Sequence, residues 1–283
     1  MIKIAVASGK GGTGKTFIAT NLFNALINNR VESILVDCDA EAPNSVAFFR
    51  TELLSAKEVK QMVPVIDTNA CTYCGKCHEY CSYNAIFILP SAKVISVIED
   101  LCHGCGACEV ACSYSAITEK QVKLGSVNIY STVNSDRIIE ARMNIGVMSP
   151  VPVIKETISE CDASSNIAIL DSPPGTSCPF IQTVAKADYV ILVTEPTPFG
   201  LSDLKQSVET LDTIGKKFGV IINRSDIGNG HVKQYLDSRN IQLLMEIPFS
   251  REIAKAYTRA ELVTENDQFF GRRLIDLLTI IIT

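Results

Sequence analysis

Six short apolar runs recur along the chain with little polar alternation: Lys3–Ser8, Ile34–Asp37, Ile167–Asp171, Tyr189–Thr194, Gly219–Asn223 and Leu243–Ile247. Runs of this length, several rich in Ile and Val, read as parallel strands buried on both faces, the first spanning Ile2–Ala7. Helix-length segments separate them. Lys15–Asn28 carries Phe17, Ile18, Leu22 and Leu26 at helical spacing. Leu201–Lys217 and Arg251–Ala260 read as further helices, and Phe269–Thr283 as a closing one. The pattern predicts an α/β, doubly wound, mainly parallel sheet. It stops over 65–120, where short turns and cysteines replace it, and then resumes. An insertion at 65–120 therefore separates 1–64 from 121–283.

Eight of the 11 cysteines fall in two copies of one spacing, Cys71-x2-Cys74-x2-Cys77-x3-Cys81 and Cys102-x2-Cys105-x2-Cys108-x3-Cys112. Shifting the chain by 31 residues, Cys71 onto Cys102, also matches Gly75 with Gly106. Under the same shift Ser82-Tyr83-x-Ala85-Ile86 meets Ser113-Tyr114-x-Ala116-Ile117, which predicts a pseudo-twofold module. Thiolates are soft donors suited to iron or zinc. The two runs resemble those of two-cluster bacterial ferredoxins, in which each fourth cysteine ligates the other cluster. That resemblance implies two 4Fe–4S clusters, one on Cys71, Cys74, Cys77 and Cys112, the other on Cys102, Cys105, Cys108 and Cys81. A zinc ribbon is the alternative for paired C-x2-C. Ser82 and Ser113 stand where the ferredoxin pattern has proline, a change that bears on turn stiffness and N–H···S bonding but not on ligation.

The 283-residue chain is 47% hydrophobic and 20% charged, the balance of a globular protein. A net charge of −5 gives no basis for a nucleic-acid partner. No secretory leader and no apolar run of membrane-spanning length is read, so the cysteines are expected as metal ligands in a reducing cytoplasm. The module itself is acidic: Asp67, Glu79, Glu99, Asp100, Glu109 and Glu119 outnumber Lys76, Lys93 and Lys120. Acidic carriers attract basic patches on redox partners, although a solubilising surface has the same composition.

Between the first strand and the first helix lies Gly9-Lys10-Gly11-Gly12-Thr13-Gly14-Lys15-Thr16. Glycines in this context let backbone N–H groups converge on phosphate oxygens, assisted by the helix N-terminus. Lys15 reaches the β- and γ-phosphates, and the Thr16 hydroxyl ligates Mg2+. Lys10 is not required by the general loop. With it, the segment resembles the deviant Walker A loop of the MinD/ParA/Mrp ATPases and the nitrogenase iron protein. The resemblance implies ATP or ADP with Mg2+, and a nucleotide-dependent homodimer in which Lys10 reaches the partner's nucleotide.

Other segments fit the same resemblance in order. Asp37-Cys38-Asp39 is similar to the first switch, with Asp39 positioning the attacking water and Asp37 supporting the Mg2+ and phosphate network; Asn44 is a weaker match there. Asp171-Ser172-Pro173-Pro174-Gly175-Thr176 is similar to the Walker B strand end and second switch, Asp171 meeting Mg2+ through water. Asn223-Arg224 resembles the adenine-recognition turn, with Ile247-Pro248-Phe249 lining the base pocket. A strand-terminal Asp alone is also an ordinary turn or helix cap.

Cys178 is expected as a buried free thiol, since it lacks the C-x2-C of Mrp-type carriers. Cys38 reads as a packed strand-end residue, and Cys161 is uninformative. The apolar C-terminal segment lacks the basic face of a membrane anchor, so burial against the sheet is expected. His78, His103 and His231 show no metal spacing. These readings favour an ATPase whose dimer switch gates electron transfer to a redox or metal-cluster protein partner. An Mrp-type cluster carrier and a MinD-like scaffold with a redox-sensing insert are the rivals.

Overall fold

The computed structural model describes residues 1–161 and 165–282. The chain runs β1 (Ile2–Ala7), α1 (Lys15–Asn28), β2 (Ser33–Asp37), β3 (Thr51–Ile66), α2 (Lys76–Glu79), β4 (Ile86–Leu89), β5 (Val94–Val97), α3 (Ala107–Ala111), β6 (Ile117–Thr132), β7 (Arg137–Met143) and α4 (Val151–Ser159). It continues β8 (Ile167–Asp171), α5 (Cys178–Ala185), β9 (Tyr189–Thr194), α6 (Pro198–Thr213), β10 (Phe218–Asn223), α7 (His231–Ser238), β11 (Leu243–Ile247), α8 (Arg251–Thr258) and α9 (Gln268–Ile282). Two compact units form. The first comprises Met1–Lys57, Val127–Arg142 and Val153–Thr283; the second comprises Glu58–Ser126 and Met143–Pro152. The divisions fall inside β3 and β6 and take in 143–152, whereas the cysteine spacing suggested 65–120.

The sheet order is β11-β10-β9-β1-β8-β2-β7-β6-β3. Every pairing from β11 to β7 is parallel. All residues of β2, β8 and β9 are buried, as expected of strands covered on both faces. The chain leaves β1 through α1 and passes over β8 to reach β2. From β8 it returns through α5, past β1, to β9. This reversal beside β1 opens a crevice at the carboxyl ends of the strands, where ligands of open α/β sheets bind.

Three strands carry no clear sequence signal. β3 is largely exposed and rich in charge, so it needs no apolar run. In β7, Glu140 is buried within an apolar strand, which its partners make tolerable. It accepts from Asn128 Nδ2 at 3.0 Å and from Arg142 Nε at 3.0 Å. The Arg137–Met143 run is thereby masked by its charges, and β6 likewise alternates Lys, Glu and Gln with apolar residues.

Helix α6 starts at Pro198 rather than Leu201 because Thr197 caps it: its hydroxyl accepts the Gly200 N–H at 3.0 Å, with Pro198 in the first turn. It ends at Thr213, short of Lys217, and α8 ends at Thr258, short of Ala260. α1 buries Phe17, Ile18, Leu22, Phe23 and Leu26 against Ile4, Val6, Leu35 and Ile169. The closing helix packs on α1 and also meets the sheet: Leu274, Leu277 and Leu278 share the core with Met245 and Ile247, and Arg273 donates to the Glu246 carbonyl of β11 at 2.8 Å. Phe17 and Phe270 stack across the contact with α1 at 5.6 Å between centroids. Asn21 and Asn24 are also buried on α1. Thr264 satisfies both, its N–H reaching Asn21 Oδ1 at 3.0 Å and its hydroxyl accepting from Asn24 at 2.8 Å.

Candidate functional site

The 8–16 loop joins β1 to α1, and its shape depends on two close approaches. A Cβ on Gly9 would stand 2.5 Å from the Asp203 carbonyl oxygen on α6. Gly14, at φ 102°, has Asn223 Nδ2 2.6 Å from where its Cβ would be, and that amide donates to the Thr13 carbonyl at 2.8 Å. Gly14 precedes α1 and offers no side-chain cap. The first α1 hydrogen bond runs from Ile18 N–H to the Gly14 carbonyl at 3.0 Å. The amides of the first turn thus face the loop, as an anion site requires. Lys15 is buried within this cradle, its Nζ 3.4 Å from the Lys10 carbonyl. Burial lowers its pKa, opposed by the charges of Asp171 and Asp39.

Two strand ends supply the facing carboxylates. Asp37 is fully buried and accepts three backbone N–H bonds, from Asp39 at 3.1 Å and from Asn44 and Ser45 at 2.9 Å each. Both its oxygens therefore hold the 39–45 turn in place. Asp39 is partly exposed and lies within the electrostatic reach of Lys15; burial raises its pKa. Asp171 accepts the Ser45 hydroxyl at 3.2 Å through Oδ2, and Thr16 lies near enough to favour its charged form. Its Oδ1 is buried without a partner. Burial, then the neighbouring Asp37, pushes Asp171 up to about 8. An orphaned carboxylate oxygen beside a hydroxyl is the donor set of a hard divalent cation, so Thr16 and Asp171 fit Mg2+.

Around the loop mouth, Glu195 directly follows β9 and pairs with two cations. Its Oε2 lies 3.7 Å from Lys10 Nζ, and its Oε1 lies 2.5 Å from Arg224 Nη1. Arg224 is tied to Glu195, while Asn223 is spent on the loop carbonyl. Pro248 is exposed in the turn after β11, next to Phe249, whose N–H donates to Asp226 at 2.6 Å.

Ser45, Glu195 and Tyr257 complete the site without having been identified from sequence. Tyr257, on α8, accepts from Asn44 Nδ2 at 3.4 Å and packs its ring 5.2 Å from that of Phe48. A lone acid directly after the apolar run of β9 was the available signal for Glu195. Nothing in the local sequence marks Ser45 or Tyr257, because only the fold brings them to Asp171 and Asn44.

The second unit holds all eight repeat cysteines, and they line two cavities. Cys71, Cys74, Cys77 and Cys112 line one; Cys81, Cys102, Cys105 and Cys108 line the other. The backbone repeats with the sequence. Positive φ recurs at Tyr73 and Gly104, Gly75 and Gly106, and Asn84 and Ser115. Ile98 N–H donates to the Ala85 carbonyl and Asp67 N–H to the Ala116 carbonyl, both at 2.8 Å, a pair related by the same 31-residue shift. Each cavity receives two N–H···S bonds: Tyr73 to Cys71 and Ala116 to Cys112, both at 3.4 Å, in the first. In the second, Ala85 donates to Cys81 at 3.3 Å and Gly104 to Cys102 at 3.4 Å. Cys77, Cys108, Ile86 and Ile117 form the small core between these turns. Among the described residues, no group of three or more His, Cys, Asp or Glu side chains is placed to hold a metal ion.

Cys178 is exposed at the start of α5, contrary to the expectation of a buried thiol, because Ser177 and Pro179 place it on the helix's open first turn. Cys38 is buried at the end of β2. No helix among the described residues is long and apolar enough to cross a membrane.

An uncharacterized protein of Methanocaldococcus jannaschii is 32% identical over 267 residues, covering 92% of this chain and 91% of its own. The fold is similar to that of the cell division ATPase MinD of Pyrococcus furiosus, with a TM-score of 0.59, 17% identity and 99% of each chain covered. It is similar as well to the septum site-determining protein MinD of Pyrococcus horikoshii complexed with Mg-ADP, with a TM-score of 0.58 and 17% identity. That likeness covers 98% of this chain and 93% of the other. Residues 4–263 match the CobQ/CobB/MinD/ParA nucleotide binding domain, so the chain belongs to that family of P-loop ATPases.

Proposed function

We propose that this ATPase couples a nucleotide-driven homodimer switch to electron transfer through two 4Fe–4S clusters. The observation that carries the reading is the division of eight cysteines into two cavities of four, each combining three members of one run with the fourth of the other. Two repeated runs of four cysteines, rather than an isolated pair of C-x2-C units, suit multi-iron clusters better than zinc ions. Cys71, Cys74, Cys77 and Cys112 would hold one cluster, and Cys102, Cys105, Cys108 and Cys81 the other. Each supplies a one-electron carrier when bound.

At the nucleotide site, Thr16 and Asp171 hold Mg2+, Lys15 neutralises the phosphates and Asp39 orients the attacking water. Asp37 fixes the 39–45 turn on which Asp39 and Asn44 ride. Asn223 supports the loop beneath the nucleotide, while Arg224 and Pro248 flank the base. Lys10 leaves Glu195 to meet the partner protomer's nucleotide. The test is an anaerobic EPR redox titration of iron-replete protein without nucleotide, with Mg-ADP and with Mg-ATP. Cluster potentials that move with nucleotide support coupling; identical potentials in all three arms defeat it.

The exposure of Cys178 favours one second reading, an Mrp-type carrier in which Cys178 from two protomers holds a transferable cluster. Iron bound through Cys178 and delivered to an apo-protein would put that reading first.

A further inference from the structure

The repeat makes each cysteine cavity a control for the other. Gly75 and Tyr114 in the first correspond in type to Gly106 and Tyr83 in the second, and Ala116 to Ala85. Each cavity also receives two N–H···S bonds of nearly equal length. Three repeat-related lining positions differ in ionisable character: one is Thr72 in the first cavity against His103 in the second, whose ring stacks on that of Tyr83 at 3.8 Å, and the other two differ in formal charge. Lys76 lines the first cavity where Ala107 lines the second, and Ile88 lines the first where Glu119 lines the second. Lys76 is exposed, whereas Glu119 is half-buried. Its Oε1 is 3.9 Å from the Cβ position of Gly106, the glycine that opens the Cys108 helix. The neighbouring Lys120 does not offset it, being paired with Glu99 at 2.6 Å.

Reduction adds negative charge at a site. A nearby cation stabilises the reduced form and a nearby anion destabilises it, most strongly where solvent is excluded. Backbone donation to sulfur, one of the other influences, repeats between the two cavities. We propose that Lys76 and Glu119 split the redox potentials of the two sites, making the Cys71, Cys74, Cys77 and Cys112 site the more readily reduced. This rests on the reading of both cavities as 4Fe–4S sites.

The test uses the full chain, loaded with iron and sulfide anaerobically, as wild type, Glu119→Gln and Lys76→Gln. Each is titrated with dithionite and followed by EPR, with Mössbauer spectra recording cluster type. Wild type is expected to reduce in two separated one-electron steps. Glu119→Gln should raise the lower step alone, and Lys76→Gln should lower the upper step alone. Coincident steps in wild type, variants that leave both steps in place, or shifts of the opposite step overturn the assignment. Should a charge-removing variant fail to load iron, Ala107→Lys must raise the lower step, and an unmoved step overturns the proposal. Mössbauer spectra lacking 4Fe–4S parameters in wild type would instead defeat the cluster reading itself, and the proposal with it.

Discussion

Lys10 Nζ lies 3.7 Å from Glu195 Oε2, so the lysine expected to act on a partner's nucleotide is held within its own chain. Glu195 is shared with Arg224, so it retains a partner when Lys10 departs. A partly exposed pair of this kind contributes no more than about 1 kcal/mol, or about fivefold in an equilibrium. With one such pair in each protomer, Glu195→Gln should favour the ATP-bound dimer by up to about 25-fold in the dimerisation constant while the protein with ADP stays monomeric. Sedimentation with ATP and with ADP reads both, and an unshifted dimerisation constant would exclude the restraint. Lys10→Ala should bind nucleotide normally and fail to dimerise.

The buried Asp171 gives the metal-free protein a defined pH response. Its pKa in the folded state is pushed up to about 8, above the ordinary carboxylate value of 3.8, so folding takes up a proton in between. Stability held at low pH is then lost as pH rises through this window, at most by about 1.4 kcal/mol per pH unit. Asp171→Asn should stabilise the metal-free protein relative to wild type, by a margin that grows up to about pH 8 and then levels off. The same variant should lose Mg2+-dependent hydrolysis. Thermal melts across pH 6–9 decide it; a margin independent of pH would show that the carboxylate is charged in both states.

Gly14 cannot accept a side chain without disturbing Asn223. Its φ of 102° carries a conformational cost of about 1–2 kcal/mol for other residues, and the added carbon would meet the Asn223 amide at 2.6 Å. Losing the Asn223–Thr13 bond adds about 1 kcal/mol. Gly14→Ala should lower stability by about 2–3 kcal/mol and weaken ATP binding more than tenfold. Calorimetric affinity equal to wild type would mean that the loop adopts its binding shape by another route.

The crossed cysteine assignment has a chemical readout. Wild type should load about eight iron atoms per chain. Paired Cys74→Ser and Cys112→Ser replacements strike one cavity and should leave about four, while Cys74→Ser with Cys81→Ser strikes both and should leave fewer. Equal iron in the two double variants would contradict the crossing. Cys178→Ser should change neither iron content nor spectrum; iron lost with it would favour the carrier reading.

The apolar runs of β1, β2, β8, β9 and β10 were legible because strands buried on both faces must be largely apolar; the partly buried edge strand β11 was legible from Leu243, Leu244, Met245 and Ile247 despite Glu246. The nucleotide loop and both cysteine runs were legible because their chemistry depends on local spacing. β3, β6 and β7 were not, since exposure or a paired buried charge removes the need for an apolar pattern. The partnerships of Ser45 with Asp171, Tyr257 with Asn44 and Glu195 with Lys10 join residues from different elements, and no local spacing encodes them. The charge difference between the cysteine cavities lay in the sequence as Lys76 against Ala107 and Ile88 against Glu119. Sequence alone determined which loop and cysteine motifs the chain carries; tertiary structure decided which groups share a site, because burial and long-range hydrogen bonds depend on how the strands and helices pack.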